Sequence, residues 1–197
     1  VAIFTFFWHD IIDLIKGFIL SIIDLTESKE KFIEGIRNTP AKRLSWLLII
    51  ATIPTGIIGL LFKDAVETIF RGTVFVGVFL VITGFILYFA ERRPSGDKKI
   101  RKMSFKDAIM IGICQGFAVL PGISRSGTTI AAGLFEGLNR EYAARYSFLL
   151  CIPAVLGAGL IQAKDIVTLD VSTTVLVAGF ISSVIFGYLS IKLLLKM

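Results

Sequence analysis

The sequence predicts an all-α, polytopic helical membrane protein with a re-entrant helical hairpin, and three observations carry that reading. The 197 residues are 55% hydrophobic and only 18% charged, with a mean hydropathy of +0.81, so the preferred surroundings of the chain are lipid. The apolar residues come in long blocks and lack the periodic stripes of a water-facing fold. One polar, turn-forming stretch, Pro121-Gly122-Ile123-Ser124-Arg125-Ser126-Gly127-Thr128-Thr129, interrupts these blocks with an arginine at bilayer depth. A single integral membrane domain over residues 1–197 is the simplest organisation.

The elements follow in chain order. Val1 to Trp8 is apolar but too short to cross, because His9, Asp10, Asp13 and Lys16 come next. It reads as the end of a spanning helix whose beginning lies outside the chain. Ile11 to Leu25, with Asp13, Lys16, Ser21 and Asp24 interleaved, fits an amphipathic helix lying in the interface. The basic leader and small-residue cleavage pattern of a signal sequence are missing. Residues 44–62 and 72–90 each match the roughly 20 residues that cross a hydrocarbon core. Residues 142–163 and 173–195 are two further predicted spans, with Arg145 and Lys192 only near their ends. Pro54 and Pro153 fall inside two of the four, where neighbouring helices can repair the lost hydrogen bond.

Basic residues set the orientation. Six lie from Lys16 to Arg43 and seven from Arg92 to Lys106, against only Lys63 and Arg71 between the first two spans. The two rich regions are therefore expected in the cytoplasm. If residues 105–138 crossed once, Arg140, Arg145, Lys192 and Lys196 would all emerge on the wrong side. If they enter and return, all four fall inside. A helix from Phe105 to Leu120 would rise about 24 Å, short of the roughly 30 Å core. Both arguments predict a hairpin with the polar motif at its tip.

The net charge of +6 does not point to nucleic acid, because positive-inside bias and anionic headgroups account for the basic loops. Cys114 and Cys151 sit in apolar segments without CxxC spacing or nearby histidines, which fits buried free thiols better than a disulfide or a metal site. The GxxxxGK[ST] order of a nucleotide-binding loop is absent.

The tip has the chemistry of a phosphate site. Arginine at membrane depth costs roughly 2.5–3.5 kcal/mol on insertion scales, so such a residue is expected to face a polar cavity. Pro121-Gly122 ends one half-helix, and Ser124 or Ser126 can cap the next, expected from about Gly127 to Leu138. A helix N-terminus attracts anions, and a guanidinium offers forked donors to two phosphate oxygens. Gly122 and Gly127 let backbone donors approach a ligand, and Ser124, Ser126 and Thr129 bring hydroxyls. The competing reading is a capped turn whose arginine pairs with a carboxylate on another helix.

The stretch PGISRSGTT has the form PGxSRSxxT, and with it the chain resembles the undecaprenyl-diphosphate phosphatases, the bacitracin-resistance family of bacterial membrane hydrolases. Gln115 to Leu120 before the motif and Ala143 to Pro153 after it are similar too, as is the order of spans. The resemblance implies removal of one phosphate from a C55 isoprenyl diphosphate in the bacterial plasma membrane, supplying the lipid monophosphate that carries cell-wall precursors. Arg125, Ser124 and Ser126 would then be the catalytic residues of this chain, with Gly122, Gly127, Thr129 and Arg125 binding substrate. A magnesium or calcium ion would help neutralise the diphosphate, although no ligand cluster identifies it. Expected partners are the polyprenyl diphosphate and membrane lipids, and a homo-oligomer is compatible with the chain.

The family's other hairpin, an (E/Q)xxxE motif with a serine-rich, histidine-containing turn, has no match here. The resemblance therefore implies an inverted repeat of which this chain holds the second half, a further helix after Met197, and a chain inactive by itself. Glu30 and Glu34 spell ExxxE in the charged stretch SKEKFIEG and read as a solvated helix face. His9 reads as an interface anchor. Glu136 could orient Arg125, or else cap the helix or face the cytoplasm. Broken helices that bind anions at a membrane midplane also occur in transporters, so a transporter or flippase for an anionic isoprenoid lipid is the alternative, with a structural membrane subunit third.

Overall fold

The structure is a computed structural model that describes residues 2–70, 72–166 and 172–194. Expectations resting on Val1, Arg71, Leu195, Lys196 and Met197 lie outside these residues. The described helices are α1 (Ala2–Phe6), α2 (Trp8–Glu27), α3 (Lys29–Asn38), α4 (Pro40–Leu61), α5 (Lys63–Phe70), α6 (Thr73–Glu91), α7 (Phe105–Phe117), α8 (Arg125–Phe135), α9 (Arg140–Ile166) and α10 (Thr173–Leu194), with a short 3-10 turn at Ile100–Lys102. Among the described residues the only β-type pairing is an isolated bridge between Lys98 and Leu138. Among the described residues four helices, α4, α6, α9 and α10, are long and apolar enough to cross a membrane.

α4 begins four residues before the predicted Leu44, because its charged first turn is answered by protein. Pro40 suits the first helical position, where its missing N–H is no loss. Lys42 pairs with Asp24 of α2, and Arg43 places two N–H donors on the Met103 carbonyl, 2.6 and 3.2 Å away. α2 likewise exceeds its predicted 11–25. It buries Ile11, Gly17 and Ser21 against α4, where Ser45 donates to the Leu14 carbonyl at 2.8 Å and the Trp46 indole to Ser21 at 2.9 Å. Its outward residues Ile15, Ile19 and Ile23 are exposed and apolar. α1 is a separate short helix packed on α10, broken from α2 at Phe7. Glu30 and Glu34 lie exposed on α3, whose N-terminus Ser28 caps.

The hairpin is α7 and α8, packed on each other and joined by residues 118–124. Both arms are shorter than predicted. α7 stops at Phe117 instead of Leu120, and α8 runs from Arg125 to Phe135 instead of from Gly127 to Leu138. α8 starts earlier because Ser124 is the cap, and it stops earlier because Gly137, with φ +82°, reverses the chain after the last turn. At about 1.5 Å per residue neither arm spans a membrane core.

One lysine closes the mouth. The Lys98 amide donates to Gly137 at 3.2 Å, its carbonyl accepts from Asn139 at 3.0 Å, and its ammonium reaches Asp107 at 2.9 Å. The start of α7 and the end of α8 therefore stand side by side, and the chain doubles back. Asp107 also completes a capping box, with the Ser104 amide on its carboxylate at 2.8 Å and its own amide on Ser104 Oγ at 3.1 Å.

α7 lies tightly against α4 through a Gly112-xxx-Gly116 face, the small-residue pattern that lets membrane helices touch. A Cβ at Gly112 would stand 2.2 Å from the Ala51 carbonyl oxygen. In the gap so spared, Thr55 Oγ lies 2.9 Å from the Ala51 carbonyl and 2.8 Å from that of Gly112. Across the bundle the buried Tyr146 of α9 donates to the Leu47 carbonyl of α4 at 2.9 Å.

Gly112→Val is expected to force α7 off α4 and lower stability by about 2–4 kcal/mol, the scale of overpacking against unyielding backbone. A thermal melt in detergent reads the loss. For Asp107, burial pushes the carboxyl up, but hydrogen bonds from Lys98 and Ser104 outweigh it and hold the group below the ordinary aspartate value near 3.8. Its contribution is therefore complete above that value and lost as pH falls through the folded value below it. Melts of wild type and Asp107→Asn should converge over that acid range and diverge above it.

Candidate active site

Residues 118–124 would be intolerable as bare backbone in a membrane, and α6 supplies the cover. Gly122 has φ +95°, a conformation reserved in practice for glycine. A Cβ there would also lie 2.4 Å from the Val76 carbonyl oxygen of α6. Thr83, buried halfway along α6, donates to the Gly122 carbonyl and accepts from the Ser124 amide, both at 3.2 Å. One hydroxyl thus holds both ends of the bend that precedes α8. Ser124 then caps α8 by accepting the Gly127 amide at 3.2 Å, which leaves the Arg125 and Ser126 amides as the donors of the first turn.

Arg125 is the first residue of α8 and is half-buried. Its side chain is not fully enclosed by protein and keeps access to the space beyond the tip. Among the described residues it forms no ion pair, although five other cation–carboxylate pairs are present. The reading in which it serves a carboxylate on another helix thus finds no support there. Glu136 does not orient it, for it is the C-cap at the far end of α8, about 16 Å along the axis.

The predicted site residues separate into two groups. Ser124, Ser126 and Arg125 gather at the start of α8, with Ser124 and Ser126 exposed, and Gly122 and Gly127 flank them. Thr129 does not join them. It is 1% exposed, its hydroxyl lies 2.9 Å from the Arg125 carbonyl and 2.5 Å from Ser147 Oγ of α9, and it fastens the first turn of α8 to α9. His9 is exposed at the start of α2. A cavity of about 320 Å³ lies elsewhere, lined by Asp10, Asp13, Lys99, Arg101, Tyr142 and Arg145 among others. It contains none of the motif residues and sits toward the Lys98 end of the hairpin, with Arg145 paired to Asp10.

Sequence reasoning missed Thr83 and Ser147. The signal for Thr83 was available, since it is the only hydroxyl in the middle of an otherwise apolar span. Ser147 sits close to Arg145 and Tyr146 in an amphipathic-looking helix start, and only the packing of α8 on α9 singles it out. No cluster of three or more histidine, cysteine, aspartate or glutamate side chains could hold a metal among the described residues.

The arrangement brings together the donors that phosphate recognition uses: a forked cation, the first-turn amides of a capped helix and two accessible hydroxyls. The model of the bacitracin resistance protein BacA family matches residues 1–197. The chain belongs to that family. An undecaprenyl-diphosphatase of Methanosphaera stadtmanae is 70% identical over 197 residues, covering 100% of this chain and 71% of that protein. Those of Methanobrevibacter smithii and Alkaliphilus metalliredigens are 48% and 42% identical, covering 100% and 99% of this chain and 71% and 70% of theirs. The BacA-family chain thus matches its relatives along its whole length, and the names of these relatives do not favour a transporter.

Thr83→Val keeps the shape of the α6 side chain and removes both bonds to the tip. It is expected to lower melting stability by only about 1–2 kcal/mol while weakening phosphate-analogue binding several-fold. Vanadate or diphosphate titration against tryptophan fluorescence reads the second effect.

Proposed function

We propose that this protein hydrolyses undecaprenyl diphosphate to undecaprenyl phosphate and inorganic phosphate in the cell membrane, with the polar tip as its phosphate-binding half-site and with bacitracin resistance as the physiological consequence. Four apolar helices and the family place the chain in a membrane, and the proposal assigns it to the plasma membrane as a multi-pass protein. The observation that carries the site is Arg125 at the head of a capped helix, without an ion-pair partner among the described residues.

The reaction breaks the bond between the bridging oxygen and the terminal phosphorus, and water finally supplies the oxygen that replaces it. Negative charge builds on the bridging oxygen and persists on the three peripheral ones, so the main task is to hold and neutralise. Arg125 can take two terminal oxygens with its fork, while the Arg125 and Ser126 amides receive a third. Ser126 donates its hydroxyl from the exposed side. Ser124, whose oxygen already accepts from Gly127, still has its proton to give. The roles assigned here are those of the chain's own donors. The apolar tail of the substrate stays in lipid against the outward faces of α6 and α10, whose Phe75, Phe85, Phe180 and Phe186 are exposed.

The test is inorganic phosphate release from undecaprenyl diphosphate by the full-length protein in detergent. Wild type is expected to turn over. Arg125→Ala should lose about 10²-fold or more in kcat/KM, the scale of removing one preorganised charge-stabilising group, and Arg125→Lys should recover only part of it. Equal rates for wild type and Arg125→Ala would remove the arginine from the site.

A further inference from the structure

Among the described residues, two buried side-chain polar atoms have no hydrogen-bond partner, Gln115 Oε1 and Thr128 Oγ. Both belong to the hairpin. Gln115 stands in the last turn of α7, seven residues before Gly122, and Thr128 in the first turn of α8, six residues after it. Gln115 is 1% exposed and Thr128 8%. Such atoms weaken a fold, because they lose water without gaining a partner. Leucine at 115 and valine at 128 would fill similar volumes and leave nothing unpaired.

The two atoms are complementary. Gln115 Oε1 is an acceptor only, whereas the Thr128 hydroxyl carries a proton. Gln115 is anchored at its other end, where Nε2 donates to Thr55 Oγ of α4 at 3.4 Å, so its carbonyl is tied to the rigid α4–α7 contact. Thr128 lies three residues after Arg125 on α8, which makes the two neighbours on the helix surface. Whatever draws Thr128 toward α7 carries the guanidinium with it.

We propose that Gln115 and Thr128 are positioning residues for phosphoryl transfer: when a diphosphate seats on Arg125, the Thr128 hydroxyl donates to Gln115 Oε1 and locks the first turn of α8 onto α7. The bond fixes the Arg125 fork and the first amides of α8 at their working distance. This assignment rests on the hydrolase reading above. Neither residue touches the substrate, and each acts through the placement of Arg125.

Steady-state phosphate release from undecaprenyl diphosphate, with the full-length protein in detergent, tests the pair. Thr128→Val and Gln115→Leu are each expected to lower kcat about ten-fold or more, with KM within about three-fold and with melting temperature unchanged or raised. Thr128→Ser, which keeps the hydroxyl, should stay within about three-fold of wild type, and the double variant should lose no more than the worse single one. Should Gln115→Leu fail to fold, Gln115→Met replaces it and is read in the same way. Either single variant keeping wild-type kcat overturns the proposal, as do losses that multiply in the double variant or follow a fall in melting temperature. A wild-type protein that releases no phosphate takes down the hydrolase reading as well, whereas an active wild type with indifferent variants takes down the pair alone.

Discussion

A turn set among membrane helices must have its backbone polar groups met by protein, and that requirement organises this molecule. At the tip the answer is Thr83, whose single hydroxyl serves the Gly122 carbonyl and the Ser124 amide together. Ser124 then meets the Gly127 amide. The Arg125 and Ser126 amides of the first turn of α8 lie next to the one guanidinium in the tip. In the proposed reading, these donors are the ones offered to an anion.

The scaffold behind the tip is held by contacts of a different kind. Gly112 brings α7 against the backbone of α4, and Thr129 with Ser147 fastens α8 to α9. Lys98 closes the open end with one side chain and one peptide unit. Hydrogen bonds between membrane helices are individually modest, and those that hold the hairpin are spread over three neighbouring helices. The charged groups of α2, α4 and the 92–106 loop gather at the opposite end. There Lys42, Arg140 and Arg145 all have carboxylate partners, whereas Arg125 has none among the described residues.

Much of this was legible in the sequence, and for physical reasons. Long apolar blocks fix helices because lipid permits little else, and the count of basic residues favours a hairpin over a crossing. Pro121-Gly122 and Ser124 locate the turn because only such residues make it. The helix ends were less legible. Charged residues such as Lys42 and Arg43 belong to α4 because partners on other elements neutralise them, which no local pattern records. Thr129 was read as part of the site from its place in the motif. Its side chain is instead buried against Ser147 of α9, a contact made by packing between helices. Thr83 and Ser147 reach their roles only through packing between distant segments.

The shortness of the two arms has a consequence for how the protein is made. A segment of 13 or 11 helical residues is too short to be retained as a stop-transfer anchor while the ribosome is still extending the chain. It can settle only once α4 and α6 stand in the bilayer, and its full docking waits for α9, which is synthesised after it. The proposed phosphate-binding tip is therefore a late product of biogenesis, and a nascent chain brings Arg125 to its place on α8 only when the surrounding bundle is already assembled.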